Sequence, residues 1–88
     1  MVILSVKLAT FLNVPPGSML SYHEVLRSIS DHIDVEGLMF GDGETFGTDA
    51  KLNELFSLDS NTTINWNHEI KHYLRPLYSL PGQNIHQD

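Results

Sequence analysis

The chain has 88 residues, of which 41% are hydrophobic and 18% are charged, and its 11 acidic and 5 basic side chains give a net charge of −6. This length admits one domain with one core, and the composition is that of a folded chain rather than a disordered one. The acidic balance excludes a typical phosphate-backbone binder, and the lack of cysteine excludes a disulfide scaffold. A membrane span is excluded because no run approaches roughly 20 apolar residues.

The first predicted helix covers Val6 to Asn13. Its apolar residues recur at helical spacing on one face, and the helix should stop because Val14 precedes a proline. The following Pro15-Pro16-Gly17-Ser18 predicts a rigid turn. The chain therefore begins with a short amphipathic helix that a turn closes.

The second helix has the clearest local signals. Ser21 and Glu24 have the spacing of a capping box, in which each side chain bonds the other residue's backbone amide. Gly37 suits the left-handed position that follows many helix ends. The sequence thus predicts a helix from Tyr22 to about Glu36.

Residues 39–46 predict a small hairpin, because Gly41-Asp42-Gly43 permits the positive φ angles of a tight turn. A calcium loop is the alternative interpretation of the acidic residues in this segment. It lacks the ligand spacing and the terminal Glu that calcium loops use. We therefore expect a turn without a metal ion.

Two more helices are predicted in the second half of the chain. Asp49 should cap a third helix, and Asn65 should cap a fourth that runs to about Tyr78. Residues 1–80 are thus expected to form a single domain. Residues 81–88 are expected to form a flexible tail.

The chain contains a near-repeat at an offset of 44 residues. Residues 7–14 correspond to residues 51–58, and Leu20-Ser21-Tyr22 corresponds to Ile64-Asn65-Trp66. Two related helix-loop-helix halves can bury most of their apolar faces against each other and leave a furrow between them. The expected fold class is α+β, mainly α, with two pseudo-symmetric halves.

Residues 68–72, His68-Glu69-Ile70-Lys71-His72, match the H-E-x-x-H pattern of zinc hydrolases. At about 100° per residue, however, both histidines point away from the apolar side of the predicted helix. The third ligand that such enzymes need does not follow at their spacing, and the chain has no nucleophile motif or phosphate loop. We therefore predict no catalytic residue, no metal site and no cofactor, with a zinc-dependent hydrolase as a remote alternative.

Four segments spread over about residues 6 to 80 together resemble the SWIB domain. They are residues 8–18 with Leu20-Ser21, Glu24-Val25 with Ile33 and Leu38, residues 49–52 with Leu55-Phe56, and His72-Tyr73-Leu74-Arg75-Pro76. SWIB domains share their fold with the N-terminal domain of the double-minute oncoprotein, in which a hydrophobic cleft between two similar halves holds an activation-domain helix. The resemblance implies a SWIB-type fold with a short hairpin and small strands, and a non-enzymatic module that binds an amphipathic helix. It also implies a role in chromatin remodelling or transcription, and an intracellular location that is nuclear in a eukaryote or a virus.

The resemblance also places the cleft on particular residues. The second helix supplies one wall, the following loop supplies the mouth, and the second half supplies the other wall. In that order the predicted partner-binding residues are Leu26, Ile29, Ser30 and Ile33, then Met39, then Ile64, Trp66, Ile70 and Tyr73.

The chain departs from the oncoprotein at two of the cleft positions. Asp34 stands where an apolar residue lines the oncoprotein's cleft, and Ser30 replaces a glycine. The partner is therefore expected to be a different peptide. The acidic side chains of Asp31, Asp34 and Glu36 favour basic residues in it.

Core filling is the alternative role for these apolar side chains, since a small domain needs nearly every aliphatic residue for its core. Met39 and Trp66 favour the binding role, because flexible thioethers and large aromatic rings are common at helix-accepting grooves. The alternative function is a structural or self-associating domain that uses the same apolar surface against a copy of itself or a larger assembly. We expect a monomer.

Overall fold

The computed structural model describes residues 1–81, and these residues form a small α+β fold, as predicted. The elements in chain order are β1 (Val2–Leu4), α1 (Val6–Leu12), β2 (Met19–Leu20), α2 (Tyr22–Glu36), β3 (Thr45–Gly47), α3 (Ala50–Phe56), β4 (Thr63–Asn65), α4 (Ile70–Leu74), a 3-10 turn (Arg75–Leu77) and β5 (Tyr78–Ser79). None of the helices within residues 1–81 is long and apolar enough to cross a membrane. The predicted tail lies outside the described residues, apart from residue 81.

The two halves of the chain pair their strands in the same register. The antiparallel pairs are Val2 with Leu20 and Ile3 with Met19 in the first half, and Phe46 with Ile64 and Gly47 with Thr63 in the second. Each pair in the second half lies 44 positions after its counterpart. The repeated sequence therefore folds twice into the same β-α-β unit, including strands that the helical periodicity did not predict.

The first helix of each unit is also capped in the same way. Ser5 and Asp49 each accept a hydrogen bond from the amide three residues further on, at 3.3 and 2.9 Å. Each helix then ends at a left-handed residue, Asn13 with φ 62° or Ser57 with φ 59°. The first helix was predicted to include Asn13, and it ends one residue earlier because Asn13 has left the helical conformation.

The second helix has the predicted boundaries and caps. Ser21 Oγ accepts a hydrogen bond from the Glu24 amide at 3.1 Å, and the Glu24 carboxylate accepts one from the Ser21 amide at 3.0 Å. At the other end Gly37 has φ 67°, and the Leu38 amide donates to the Ile33 carbonyl at 2.9 Å. This bonding is that of a Schellman motif.

The fourth helix is much shorter than predicted. Asn65 Oδ1 does accept hydrogen bonds from two following amides, at 2.8 Å each, but α4 begins only at Ile70. The helix narrows to a 3-10 turn that contains Pro76, which has no amide hydrogen to donate. Tyr78 is then extended and pairs with Leu4 of β1. The prediction of a helix that continues to about Tyr78 is therefore wrong, because pairing with a distant strand decides the conformation there.

The predicted hairpin after α2 is present but short. Met39 forms a single backbone β-bridge with Phe46. The Asp42 carboxylate holds the turn by accepting hydrogen bonds from the amides of Glu44 and Thr45, at 3.0 and 2.9 Å. These hydrogen bonds lower the pKa of Asp42. The Asp42 side chain thus stabilises this turn together with the backbone hydrogen bonds of Phe40 and Gly43.

The two units contact each other through α1 and α3. Lys7 donates a hydrogen bond from α1 to Ser57, and its counterpart Lys51 lies 5.4 Å from the centre of the Phe11 ring. Below these contacts both units contribute to one continuous apolar core. Its fully buried side chains include Leu8, Val25, Ile29, Ile33, Phe46, Leu52, Ile64 and Leu74.

Candidate protein-binding surface

Four of the nine predicted partner-binding residues are enclosed. Ile29, Ile33 and Ile64 have no exposed surface, and Ile70 is 4% exposed. All four belong to the shared core. In this conformation other side chains separate them from solvent, so they do not contact a partner directly.

The other five predicted residues are half-buried. Leu26 and Ser30 lie on successive turns of α2, Met39 follows that helix, and Trp66 and Tyr73 belong to the second unit. The four apolar members pack against the core and keep part of their surface in water. These five side chains are therefore the accessible part of the predicted cleft.

Met39 and Trp66 are brought together around one buried ring. Met39 bridges to Phe46, and the Trp66 ring meets Phe46 edge-to-face at 6.1 Å between ring centres. The Trp66 amide also donates to the Glu44 carbonyl at 2.6 Å, which fixes the backbone at this position. Met39 and Trp66 thus both adjoin Phe46 at the junction of the hairpin with β4.

Tyr73 has a different aromatic neighbour. Its ring lies 5.3 Å from Phe56 of α3, centre to centre, whereas Trp66 and Met39 contact Phe46. The second wall of the predicted cleft therefore has two separate supports, one on β3 and one on α3.

Two phenylalanines at this surface were missed in the sequence analysis. Phe46 is fully buried and adjoins Met39 and Trp66, and Phe40 is 49% exposed with its ring near Gly47. The apolar run Leu38-Met39-Phe40 beside a turn was the available signal. This run could not be assigned to the surface from the sequence, because the sequence does not show that the hairpin lies next to β4.

A second apolar surface, the α1–α3 groove, was not predicted. It has a volume of about 270 Å³ and lies between the first helices of the two units. Its lining residues include Val6, Lys7, Phe11, Lys51, Glu54 and Leu55. The two lysines occupy equivalent positions of the repeat, so the groove runs along the contact between the units.

The H-E-x-x-H segment does not have the geometry of a helical zinc site. His68 lies in a turn before α4, His72 lies within α4, and both are exposed. Glu69 Oε1 accepts a hydrogen bond from the Asn65 amide at 2.8 Å. Within residues 1–81 no three metal-ligating side chains cluster. Glu69 therefore has a structural role at the start of this turn.

Charge is distributed unevenly along α2. Asp31, Asp34 and Glu36 are exposed at its C-terminal end, beside Val35, which is 80% exposed. His32 on the same helix lies 3.0 Å from the Asp49 carboxylate, so it links α2 to the start of α3. The exposed acidic side chains at the end of α2, termed the acidic rim, thus come shortly before Met39 in the chain.

Comparisons with models of known protein families, with curated proteins and with solved structures found no match. Half-buried apolar residues on two structurally repeated units, with acidic residues at the end of α2, are the features from which a function can be inferred.

Proposed function

We propose that this chain is a SWIB-type protein-binding module whose second helices and hairpin hold an amphipathic helix of a partner protein. The observation that carries the proposal is the position of Met39 and Trp66, two large half-buried apolar residues that both adjoin the fully buried Phe46, Met39 by a backbone bridge and Trp66 by a ring contact. Side chains of this kind are common at interfaces where a helix enters a groove.

The repeated architecture supports the SWIB-type assignment. A cleft between two similar halves requires two units of one construction, and here the strand registers and helix caps recur 44 positions apart. The order of elements is the same in both units, with a strand, a short helix, a strand and a further helix. The second helix of each unit is thus available to form one wall of a cleft.

In this proposal the predicted residues divide into a floor and two walls. The enclosed Ile29, Ile33, Ile64 and Ile70 form the floor, since they are within the core already. The half-buried residues form the walls and are Leu26, Ser30, Met39, Trp66 and Tyr73. A partner helix would place apolar anchors at positions i, i+3 or i+4, and i+7 between these walls.

The charge at the rim specifies the partner further. Asp31, Asp34 and Glu36 are all exposed in the last two turns of α2, on a chain with a net charge of −6. A partner helix with basic residues beside its apolar anchors would be steered to this rim. The SWIB resemblance places such a partner among chromatin or transcription proteins, and the chain inside the cell, in the nucleus of a eukaryote or a virus-infected host.

The test is a titration of the isotope-labelled chain with a synthetic amphipathic helix that has leucine and phenylalanine on one face and lysine on the other. Saturable amide shifts are expected at Leu26, Met39 and Trp66, and a peptide of the same composition in scrambled order should give none. The Trp66→Ala variant should bind at least about fivefold more weakly. Met39→Ala should also weaken binding, whereas Met19→Ala, which removes an exposed methionine from β2, should not.

Two results would contradict this function. Equal binding of the ordered and scrambled peptides would exclude recognition of an amphipathic helix. Concentration-dependent dimerisation in light scattering, abolished by Trp66→Ala, would assign the same surface to self-association. Unfolding measurements on the free variants separate a loss of binding from a loss of stability.

A further inference from the structure

A second depression, the α4 depression, lies on the surface beside α4 and β5. It is open to solvent and has a volume of about 830 Å³. Its lining residues are Tyr22, Lys71, His72, Arg75, Pro76 and Tyr78. None of them belongs to the cleft proposed above.

The charge of the α4 depression is opposite to that of the chain. The whole sequence has only five lysines and arginines against 11 acidic residues, and two of those five, Lys71 and Arg75, line this depression. His72 adds a ring nitrogen that can donate a hydrogen bond. No carboxylate is among the described residues that line it. The depression is therefore a local positive site on an acidic protein.

Aromatic contacts hold this site in a defined shape. The Arg75 guanidinium carbon lies 5.3 Å from the centre of the Tyr78 ring, and Nη1 donates to the Tyr78 carbonyl at 3.4 Å. Tyr22 of α2 meets Tyr78 edge-to-face at 5.7 Å. Burial, with a smaller effect of Tyr78, raises the pKa of Tyr22, so its phenol keeps its proton and remains a donor. Both units thus contribute to the site.

We propose that the α4 depression binds an acidic peptide segment of a partner protein. The partner's carboxylates would lie against Lys71, His72 and Arg75, and an apolar side chain between them would rest on Pro76 and the tyrosine rings. The occupant follows from charge complementarity, because this is a cationic, aromatic surface on a chain whose net charge is −6.

The same chemistry disfavours phosphate ligands. Arginine often holds a phosphate group through two parallel hydrogen bonds, and the one arginine that lines this depression is already engaged with Tyr78. A nucleic-acid backbone needs a longer array of cations and would be repelled by the rest of an acidic chain. An extended segment with spaced carboxylates suits an open depression of this size.

This site is independent of the proposed cleft, and the two can be tested separately. The cleft is expected to select a basic amphipathic helix, whereas the α4 depression is expected to select an acidic segment. Failure of either titration therefore leaves the other proposal unaffected.

The experiment is an NMR titration of the full chain with a blocked glutamate-rich peptide that contains one leucine. Saturable shifts are expected at Lys71, His72, Arg75 and Tyr78. The double variant Lys71→Gln with Arg75→Gln should bind about tenfold more weakly, since each exposed ion pair contributes modestly. The matched control is Lys7→Gln with Lys51→Gln, which removes the same number of positive charges but from the α1–α3 groove. This variant should bind the acidic peptide within about twofold of the unaltered chain.

Several results would overturn the proposal. These are equal weakening in both double variants, shifts confined to other residues, or tighter binding of inorganic phosphate or an oligonucleotide than of the peptide. If the Arg75 change unfolds the chain, Lys71→Gln with His72→Gln preserves the Arg75 contacts with Tyr78. An unchanged affinity in that folded variant would also refute the site.

Discussion

At the scale of single residues, Asp49 links three helices. Its Oδ1 atom accepts a hydrogen bond from the Leu52 amide at the start of α3, and its Oδ2 atom lies 3.0 Å from His32 Nε2 of α2. The His32 ring in turn packs edge-to-face on Phe11 of α1, at 5.3 Å. The counterpart of Asp49 in the first unit is Ser5, whose single hydroxyl acts only as a cap. The second oxygen therefore gives the second unit a contact that the first lacks.

Substitutions of Asp49 should separate these two roles. Asp49→Ala removes the cap and the His32 contact, so we expect it to lower the free energy of unfolding by about 1 to 2 kcal/mol. Asp49→Ser restores the cap found at Ser5 and should lose only about 0.5 kcal/mol, because the contact with His32 is partly exposed. Urea denaturation measures both values. An equal loss in the two variants would show that the His32 contact dominates.

The Asp49 carboxylate should also make stability depend on acid pH. Partial burial alone would raise its pKa, but the Leu52 amide and His32 outweigh burial, so the pKa is lowered on folding. Such a group contributes its full stability above its unfolded pKa of about 3.9, and loses it as the pH falls through the folded value. The stability difference between the unaltered chain and Asp49→Ser should therefore shrink as the pH falls below about 4. Urea denaturation at a series of pH values tests this, and a difference that grows in acid would contradict it.

At the scale of elements, α2 is specified by local interactions at both ends. A capping box starts it, and a left-handed glycine with its Schellman hydrogen bonds ends it. Neither end needs a contact from a distant part of the chain. This independence explains why the boundaries of α2 could be predicted, and it makes α2 a rigid wall for the proposed cleft.

The end of α2 should be sensitive to substitution of Gly37. Gly37→Ala places a side chain at φ 67° without a steric contact nearby, so the cost of about 1 kcal/mol comes from the left-handed backbone alone. Gly41→Ala is the matched control, because Gly41 also has open space around it but no positive φ. We expect the control to lie within about 0.5 kcal/mol of the unaltered chain in thermal unfolding. Equal effects of the two changes would refute a backbone origin.

At the scale of the whole molecule, the two units depend on each other. The core draws buried side chains from both, and α1 packs on α3 through the reciprocal contacts of Lys7 and Lys51. In addition, β1 of the first unit pairs with β5, which follows the second unit. The two units therefore have the same architecture, but each depends on the other for its stability.

A fragment of residues 1–44 should consequently fail to fold. It would expose the apolar surface that α1 and α2 bury against the second unit, and β1 would lose β5. We expect poorly dispersed amide signals and no cooperative thermal transition, in contrast to residues 1–81. A folded fragment would mean that each unit has a sufficient core of its own.

The candidate surface could be predicted only in part. Ile29 and Leu26 are both apolar and both face inward at helical spacing, yet the first is enclosed and the second is half-buried. Periodicity identifies the inward side of a helix, but it does not show what covers each side chain. The pairing of Met39 and Trp66 around Phe46 likewise depends on which strand lies beside the hairpin.

The sequence by itself determined the repeat, which is visible as an offset of 44 residues. It also determined both ends of α2, the cap of α3 and the turn at Asp42, because these depend on side chains that bond backbone groups a few positions away. Only the tertiary structure decided where the last helix stops and which apolar residues remain exposed. Tyr78 pairs with Leu4 in a strand, and Ile29 and Ile33 are buried in a core to which both units contribute. These outcomes come from contacts between residues far apart in the chain, which local pattern does not encode.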